Sequence, residues 1–394
     1  MNKNPNKEPL IRISRKSDLK GWVKALIKVG AIVFAILLCG IISTIVKPGS
    51  FGAFFENVFV KNFASTRRGV TTFSLTKVIT LLWTTSILFL IALAVTPAFK
   101  MKFWNLGGEG QVLMGGFGAL IIMKFLGPKI GNNGGTIMLM LLVSVIFGAV
   151  WALIPAIFKC LFNTNETLFT LMLNYIAMAI VGFFSYEWRQ QGGTVIGVVN
   201  SDTRIGWFDQ VKLWDGNRYD YVIAIGVIIL IGIIIWSYLR FSKHGYELSV
   251  VGGSRNTAIY VGIDLKFVVL RTVALSGAIA GICGWLLVSA GAHTVTENLV
   301  NGRGFTGVLL AWLGHFNPLE MAGYSFLVAF VTKGGDNAAS VVGYSSFLTS
   351  VFVGVFFFII IASEFFVNFN VHINKKLLRR FFKKESKDEI KEAK

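Results

Sequence analysis

Residues 103–126 read FWNLGGEGQVLMGGFGALIIMKFL, a glycine-rich opening that carries Asn105, Glu109 and Gln111, followed by an apolar run from Val112 to Met123. From Leu106 to Leu126 the stretch has the roughly 20 mostly apolar residues a helix needs to cross a hydrocarbon layer about 30 Å thick. A carboxylate at the edge of such a layer is costly unless paired or hydrated, so position alone makes Glu109 a candidate functional residue. The glycines around it let neighbouring backbones come close and leave local N–H groups free to donate. Two readings follow: Glu109 lines a passage through the membrane, or it ties helices together.

Stretches of the same kind recur at 22–46, 75–98, 136–158, 167–186, 220–240, 267–291, 303–316, 319–333 and 345–368, bounded by charge, Gly or Pro. The expectation is an all-α, polytopic integral membrane protein of about ten transmembrane helices. The 303–316 and 319–333 stretches are short for a crossing, and Asn301-Gly302-Arg303-Gly304 ahead of them points to broken or re-entrant helices. Composition agrees: 54% of residues are apolar and 15% charged, with a mean hydropathy of +0.66. A soluble enzyme is excluded, because its surface must be wetted. The 22–46 stretch is longer than a signal-peptide core and lacks a small-residue cleavage site, so it reads as a retained span. The expected organisation is a basic tail over 1–21, one membrane domain over 22–368 and a second basic tail over 369–394.

The formal net charge is +18. Residues 1–28 hold eight Lys and Arg against Glu8 and Asp18, and residues 371–394 hold nine against four acids. Such clusters beside apolar spans resist translocation and sit against anionic headgroups, which places both termini in the cytoplasm of a plasma-membrane protein surrounded by membrane lipid. Topology thus accounts for the excess charge, and no nucleic-acid partner is expected. On this topology the segment Glu187–Asp220 lies outside, with Trp188, Trp207 and Trp214 as interface anchors or as a docking surface for an external partner. The inner segment includes SRNTAIYVGI, Ser254–Ile263: a short helix with a polar start that stops at Gly262. It is either a connector or, with Ala258 and Tyr260 on a small amphipathic face, a segment that docks into a groove of another protein.

The chain contains no G-x-x-x-x-G-K-[ST] pattern, so it does not hydrolyse ATP by that route. Gly302, Gly304 and Gly307 form a G-x-G-x-x-G, but no strand precedes it, and it reads as close helix packing or a broken helix. Cys39, Cys160 and Cys283 stand alone, and His244, His293, His315 and His372 are scattered, so neither a metal site nor a disulfide frame is expected. No catalytic residue set and no cofactor bound by this chain emerges.

Phe103-Trp104-Asn105-Leu106-Gly107-Gly108-Glu109-Gly110-Gln111-Val112-Leu113-Met114-Gly115 resembles the F-N-I-G-x-E-G-Q-x-x-M-G signature of permease subunits of bacterial ABC importers for nucleosides and simple sugars. These are the permeases that work with lipoproteins of the basic-membrane-protein family. The segment from Asn165-Glu166-Thr167 to Asn174-Tyr175-Ile176-Ala177 is similar to the family's N-E-V-x-x-T-L-M-L-N-Y-I-A. Gly252–Ile263, Ala274–Gly281 with its S-G-A-x-A-G helix, and Phe305–Leu319 with G-F-x-G-I-A-V-A-L-L-G-x-x-N-P-L continue the resemblance. The blocks keep their order from about residue 100 to 320. Leu106 replaces the usual Ile, and Leu309 and Trp312 are bulkier than the pattern expects.

The resemblance implies a translocation subunit that works by alternating access beside a second permease, homologous or identical. A cytoplasmic ABC ATPase would consume ATP, and an external substrate-binding lipoprotein would deliver the small-molecule substrate. It makes Arg255, Asn256, Ala258, Tyr260, Gly262 and Ile263 candidates for the coupling helix that meets the ATPase. A path for a nucleoside or sugar needs hydrogen-bond partners for hydroxyls and aromatic surface for a base. Asn105, Glu109, Gln111 and Asn174 are candidates for the first, and Trp104, Tyr175 and Phe103 for the second. The alternative is a secondary transporter or channel without an ATPase, in which Glu109 or Glu166 holds an ion or proton.

Overall fold

Among the described residues of the computed structural model the chain is helical in thirteen segments. They are α1 (Gly21–Val46), α2 (Phe51–Val60), α3 (Leu75–Lys100), α4 (Gly108–Ile130), α5 (Asn133–Phe162), α6 (Glu166–Glu187), α7 (Val222–Phe241), α8 (Lys243–Gly253), α9 (Arg255–Tyr260), α10 (Leu265–Ala292), α11 (Arg303–Leu313), α12 (Pro318–Val342) and α13 (Phe347–Asn368). The structure describes residues 11–15, 20–67, 70–190, 192–213, 215–345 and 347–373; Trp214 and most of the two basic tails lie outside the described residues. Eight helices, α1, α3 to α7, α10 and α13, are long and apolar enough to cross a membrane. The fold is all-α and polytopic. The 303–316 stretch is an eleven-residue helix, α11, too short to cross. The 319–333 stretch differs from the short element expected: it is one continuous helix, α12, that carries Lys333 and Asp336 in its second half.

By contacts the described residues fall into two compact units, one within 57–337 and one from the described residues of 1–56 and 338–394. In the smaller unit α1 and α13 run antiparallel. Lys28 pairs with Glu364 at 2.9 Å, and the Cys39 thiol reaches the Phe352 carbonyl near the opposite end. Phe54 and Phe352 meet edge to face at 5.1 Å. Ile11–Arg15 and Phe369–Ile373 form an antiparallel ladder, which sets the two chain ends side by side.

In the larger unit the helices separate by how much protein covers them. In α3, α4 and α10, 72, 78 and 78% of positions in the most apolar stretch are buried, against 22, 28 and 22% in α5, α6 and α7. The first three form the centre, and the others each leave a broad apolar face open, as helices bathed in lipid do. Small residues set the central packing. A Cβ added at Gly281 of α10 would overlap the Ser144 carbonyl of α5, and one at Gly284 would overlap the Val112 carbonyl of α4. Backbones this close exclude any larger side chain, which is the physical content of the S-G-A-x-A-G run. Helix starts are capped locally. Asn165 accepts from the Thr167 and Leu168 amides at 3.1 and 3.3 Å to begin α6, and Asp264 does the same for α10 from Lys266 and Phe267 at 2.9 and 3.3 Å.

Candidate functional site

The turn between α3 and α4 carries a buried polar network. Asn105, Glu109, Gln111 and Asn174 are 0, 1, 2 and 1% exposed. A buried amide or carboxylate must find partners, and each of these does. The Asn105 side-chain oxygen accepts from the Gly107 amide and from Gln111 Nε2, both at 3.0 Å, while its Nδ2 donates to Gln111 Oε1 at 3.2 Å and Ser276 Oγ of α10 at 3.3 Å. From α6, Asn174 Oδ1 accepts from the Gly110 amide and its Nδ2 donates to the Leu106 carbonyl, both at 2.9 Å. Thr170, one turn earlier, accepts from the Leu106 amide at 3.1 Å. The conspicuous polar residues of the motif therefore hold a turn of backbone between α6 and α10.

Glu109 reaches the other way. Its two oxygens accept from the Gly302 and Gly304 amides at 2.7 and 2.6 Å, which fastens the N-terminus of α11 to the start of α4. A carboxylate on free amides at a helix start is favoured by charge-assisted hydrogen bonding and by the helix dipole. Gly302 adopts φ +74°, a left-handed conformation that suits glycine, and a Cβ at Gly304 would overlap the Glu109 backbone amide. The G-x-G-x-x-G pattern is thus the start of a helix packed against α4 and, at Gly307, against Ile91 of α3.

Of the residues expected on a substrate path, Trp104 and Tyr175 are exposed, by 42 and 62%. Tyr175 lies on the outward apolar face of α6 with Leu168 and Met172, because successive helical residues are about 100° apart and Asn174 faces inward. Phe103 is buried in one core cluster with Ala258, unlike the exposed Trp104 and Tyr175. Trp104 stacks on Trp312 of α11 at 5.4 Å with 25° between planes and meets Phe99 edge to face at 5.6 Å. Phe305, Leu309 and Trp312 lie three and four residues apart on the exposed face of α11. Sequence reading singled out Leu309 and Trp312 for their bulk; the structure sets them on this half-open aromatic wall.

The segment expected to couple comprises two helices. Ser242 and Ser254 cap α8 and α9, accepting at 3.1 and 3.3 Å. Tyr260 is 93% exposed, with Ile259 and Val261 beside it and Arg255, Asn256 and Gly262 exposed as well. Ala258 corrects the expected face: it is fully buried against Leu248, Val251 and Val268, and Ile263 packs toward the same cluster. The outward tip is therefore Ile259-Tyr260-Val261, turned by the left-handed Gly262 at φ +83°. Beneath the tip, α8 is wedged: a Cβ at Gly252 would overlap the Lys100 carbonyl at the end of α3, and one at Gly245 the Leu239 carbonyl of α7. His244 bridges Tyr238 of α7 at 2.7 Å and Thr272 of α10 at 3.0 Å. Thr272 donates to the Val268 carbonyl at 2.6 Å, so His244 Nε2 donates to Thr272 and Nδ1 accepts from Tyr238. Burial, with Arg271 nearby, pushes the His244 pKa below its ordinary 6.5, and Glu247 opposes this. Glu247 and Arg271 form an ion pair between α8 and α10.

Sequence reading missed a charged group on α12. Lys333 lies within electrostatic reach of Asp336, Arg303 and Lys77, and Lys77 donates to Asn337 at 3.1 Å. The signal was present as Lys333 and Asp336 four helical positions or fewer apart, but charge served there only to end a span. Trp207, expected as an interface anchor or part of a docking surface, donates to the Val199 carbonyl at 2.9 Å and stacks on His293 at 3.6 Å. Trp188 stacks on Phe117 at 5.8 Å. Among the described residues no three His, Cys, Asp or Glu side chains gather as metal ligands would.

Residues 77–363 match the family model described as the branched-chain amino acid transport system / permease component. The guanosine ABC transporter permease NupP of Bacillus subtilis is 25% identical over 284 residues, 71% of this chain and 79% of that protein. The nucleoside ABC transporter permease NupB of Lactococcus lactis subsp. cremoris is 27% identical over 324 residues, 79% and 84% of the two chains. The glucose ABC transporter permease TsgB13 of Haloferax volcanii is 26% identical over 308 residues, 73% and 76%.

Proposed function

The chain belongs to the family of branched-chain amino acid transport system permease components, and from that premise we propose that it forms the path of an ATP-driven importer for nucleosides or a related simple sugar. The membership makes it a multi-pass plasma-membrane permease of an ABC importer, a transport component rather than an enzyme, whose system includes a cytoplasmic ATPase and a substrate-binding protein. The finer reading is ours. Nucleosides come first because two of the relatives are named for guanosine and for nucleosides, and because Trp104 and Trp312 offer a flat apolar wall on which a base can stack. A second permease, homologous or identical, faces the first across the path, both termini lie in the cytoplasm, the binding protein is a lipoprotein, and ATP acts only on the partner ATPase.

The observation that carries the proposal is the α8–α9 block. An exposed tyrosine tip stands on a base tied by close backbone contacts to α3 and α7 and by His244 and Arg271 to α10. A push on Tyr260 therefore moves the ends of three spans together, which is what alternating access driven from the cytoplasm requires. The four buried polar residues, Asn105, Glu109, Gln111 and Asn174, act as the frame that keeps α4, α6, α10 and α11 in register during that motion. The ion-coupled alternative asks Glu109 or Glu166 to hold an ion, and both are engaged: Glu109 by two amides, Glu166 by Lys159 at 2.8 Å.

The test is a mild-detergent pull-down of the tagged chain from its native membrane. An ATPase, a second permease and a binding protein are expected with it, and Tyr260→Asp is expected to release the ATPase while the chain stays inserted, because it sets a charge into a packed groove. Undiminished ATPase retention by Tyr260→Asp removes the coupling assignment; recovery of the chain alone, with ion-driven uptake in liposomes, removes the importer.

A further inference from the structure

Where α5 ends and α9 and α10 begin, a pocket of about 120 Å³ opens among three cations, Lys159, Arg255 and Lys266, over a wall of Met101, Phe103 and Val269. Lys159 is spent on Glu166 at 2.8 Å, whereas among the described residues neither Arg255 nor Lys266 has an ion-pair partner. The nearby carboxylate, Asp264, is occupied capping α10. Leu161, Phe162 and Phe267, next in sequence to the lining residues Cys160, Asn163 and Lys266, are exposed. Exposed aromatic and aliphatic residues next to unpaired cations at the ends of spans describe the headgroup level of a bilayer, apolar below and anionic above.

We propose that this pocket is a binding site for a phosphate group supplied by an anionic phospholipid, with the phosphate between Arg255 and Lys266 and the acyl chain descending past Phe267. The size fits a phosphate rather than a whole headgroup, and the guanidinium offers it a two-pronged hydrogen-bonding face. Arg255 is the first residue of α9, so an occupied pocket pins the base of that helix to the membrane surface. Lipid binds here whether or not α9 meets an ATPase.

Cys160 lines the same pocket and is half-buried, while Cys39 and Cys283 are fully enclosed. It is therefore a built-in reporter. The full chain is reconstituted into vesicles of phosphatidylcholine alone or with phosphatidylglycerol, and the rate of Cys160 alkylation by N-ethylmaleimide is followed by intact mass. Labelling is expected to slow on the order of tenfold with phosphatidylglycerol, the preference that two surface cations carry for an anionic leaflet. The paired substitution Arg255→Gln with Lys266→Gln is expected to bring the ratio between the two lipids back to one. Equal rates in both lipids overturn the proposal. So does an undiminished slowing in the paired variant, since lowered pH at an anionic surface would then account for it. Equal protection by millimolar inorganic phosphate in phosphatidylcholine vesicles, with none from phosphatidylglycerol, assigns the site to a soluble phosphate and overturns the lipid. Native mass spectrometry from mild detergent gives an independent reading: retained phosphatidylglycerol on the wild type, and less on the paired variant.

Discussion

At the scale of single residues, the same side chain serves a different purpose depending on what lies opposite it. Glu109→Gln replaces one acceptor oxygen by an NH2 that faces a backbone amide, so one hydrogen bond to a charged group is lost and a donor is set against a donor. A loss of about 1.5–3 kcal/mol in stability is expected, read as a lower unfolding midpoint of the purified chain in detergent. Unchanged stability with lost uptake would make Glu109 a path residue instead. The sequence singled out Glu109, Asn105, Gln111 and Asn174, since polar groups at a membrane edge need a reason. It did not show their partners, because these are mostly backbone groups: the Gly302 amide lies 193 residues beyond Glu109 and has no residue type that announces it. Ala258 was misread for a related reason. A six-residue helix has too few turns for periodicity to tell its inner face from its outer one.

At the scale of elements, α8 links two spans, α7 and α10, through one imidazole and meets a third, α3, at Gly252. His244 is neutral in the folded protein, with its pKa lowered mainly by burial. The unfolded chain takes up its proton near 6.5, so the stability this lowered pKa contributes is present above that pH and is lost as pH falls below it. The unfolding midpoint is expected to drop from about pH 7.5 to about pH 5.5, and His244→Gln, which cannot titrate there, is expected to drop less. Parallel curves would remove His244 from that role. The long spans were legible because apolar length is a strong signal, and eight of the ten stretches are helices both long and apolar enough to cross a membrane. The α12 helix was cut short at Lys333 because charge ends a span in a sequence scan, whereas in the fold Lys333 is answered by Asp336 one turn on in the same helix, with the cations Arg303 and Lys77 also in reach.

At the scale of the whole chain, helix order in sequence and helix order in space differ. The least apolar of the eight spans, α4, is also among the most deeply covered, and its mouth is satisfied by Thr170 and Asn174 of α6, Ser276 of α10 and the start of α11. Those partners emerge from the ribosome later. At about 5–20 residues per second the 195 residues between Glu109 and Gly304 take roughly 10–40 s to synthesise. For that interval a bare carboxylate sits at the rim of an apolar helix, and lipid offers it nothing. The nascent chain is expected to stay beside the insertion machinery until residue 304 has been made. A chain stopped after Leu299 is expected to be cleared in a pulse-chase much faster than one stopped after Phe316, and equal lifetimes would sink the idea. The bond that holds α11 in the finished protein is, during synthesis, a timer that decides when the third span is free to leave.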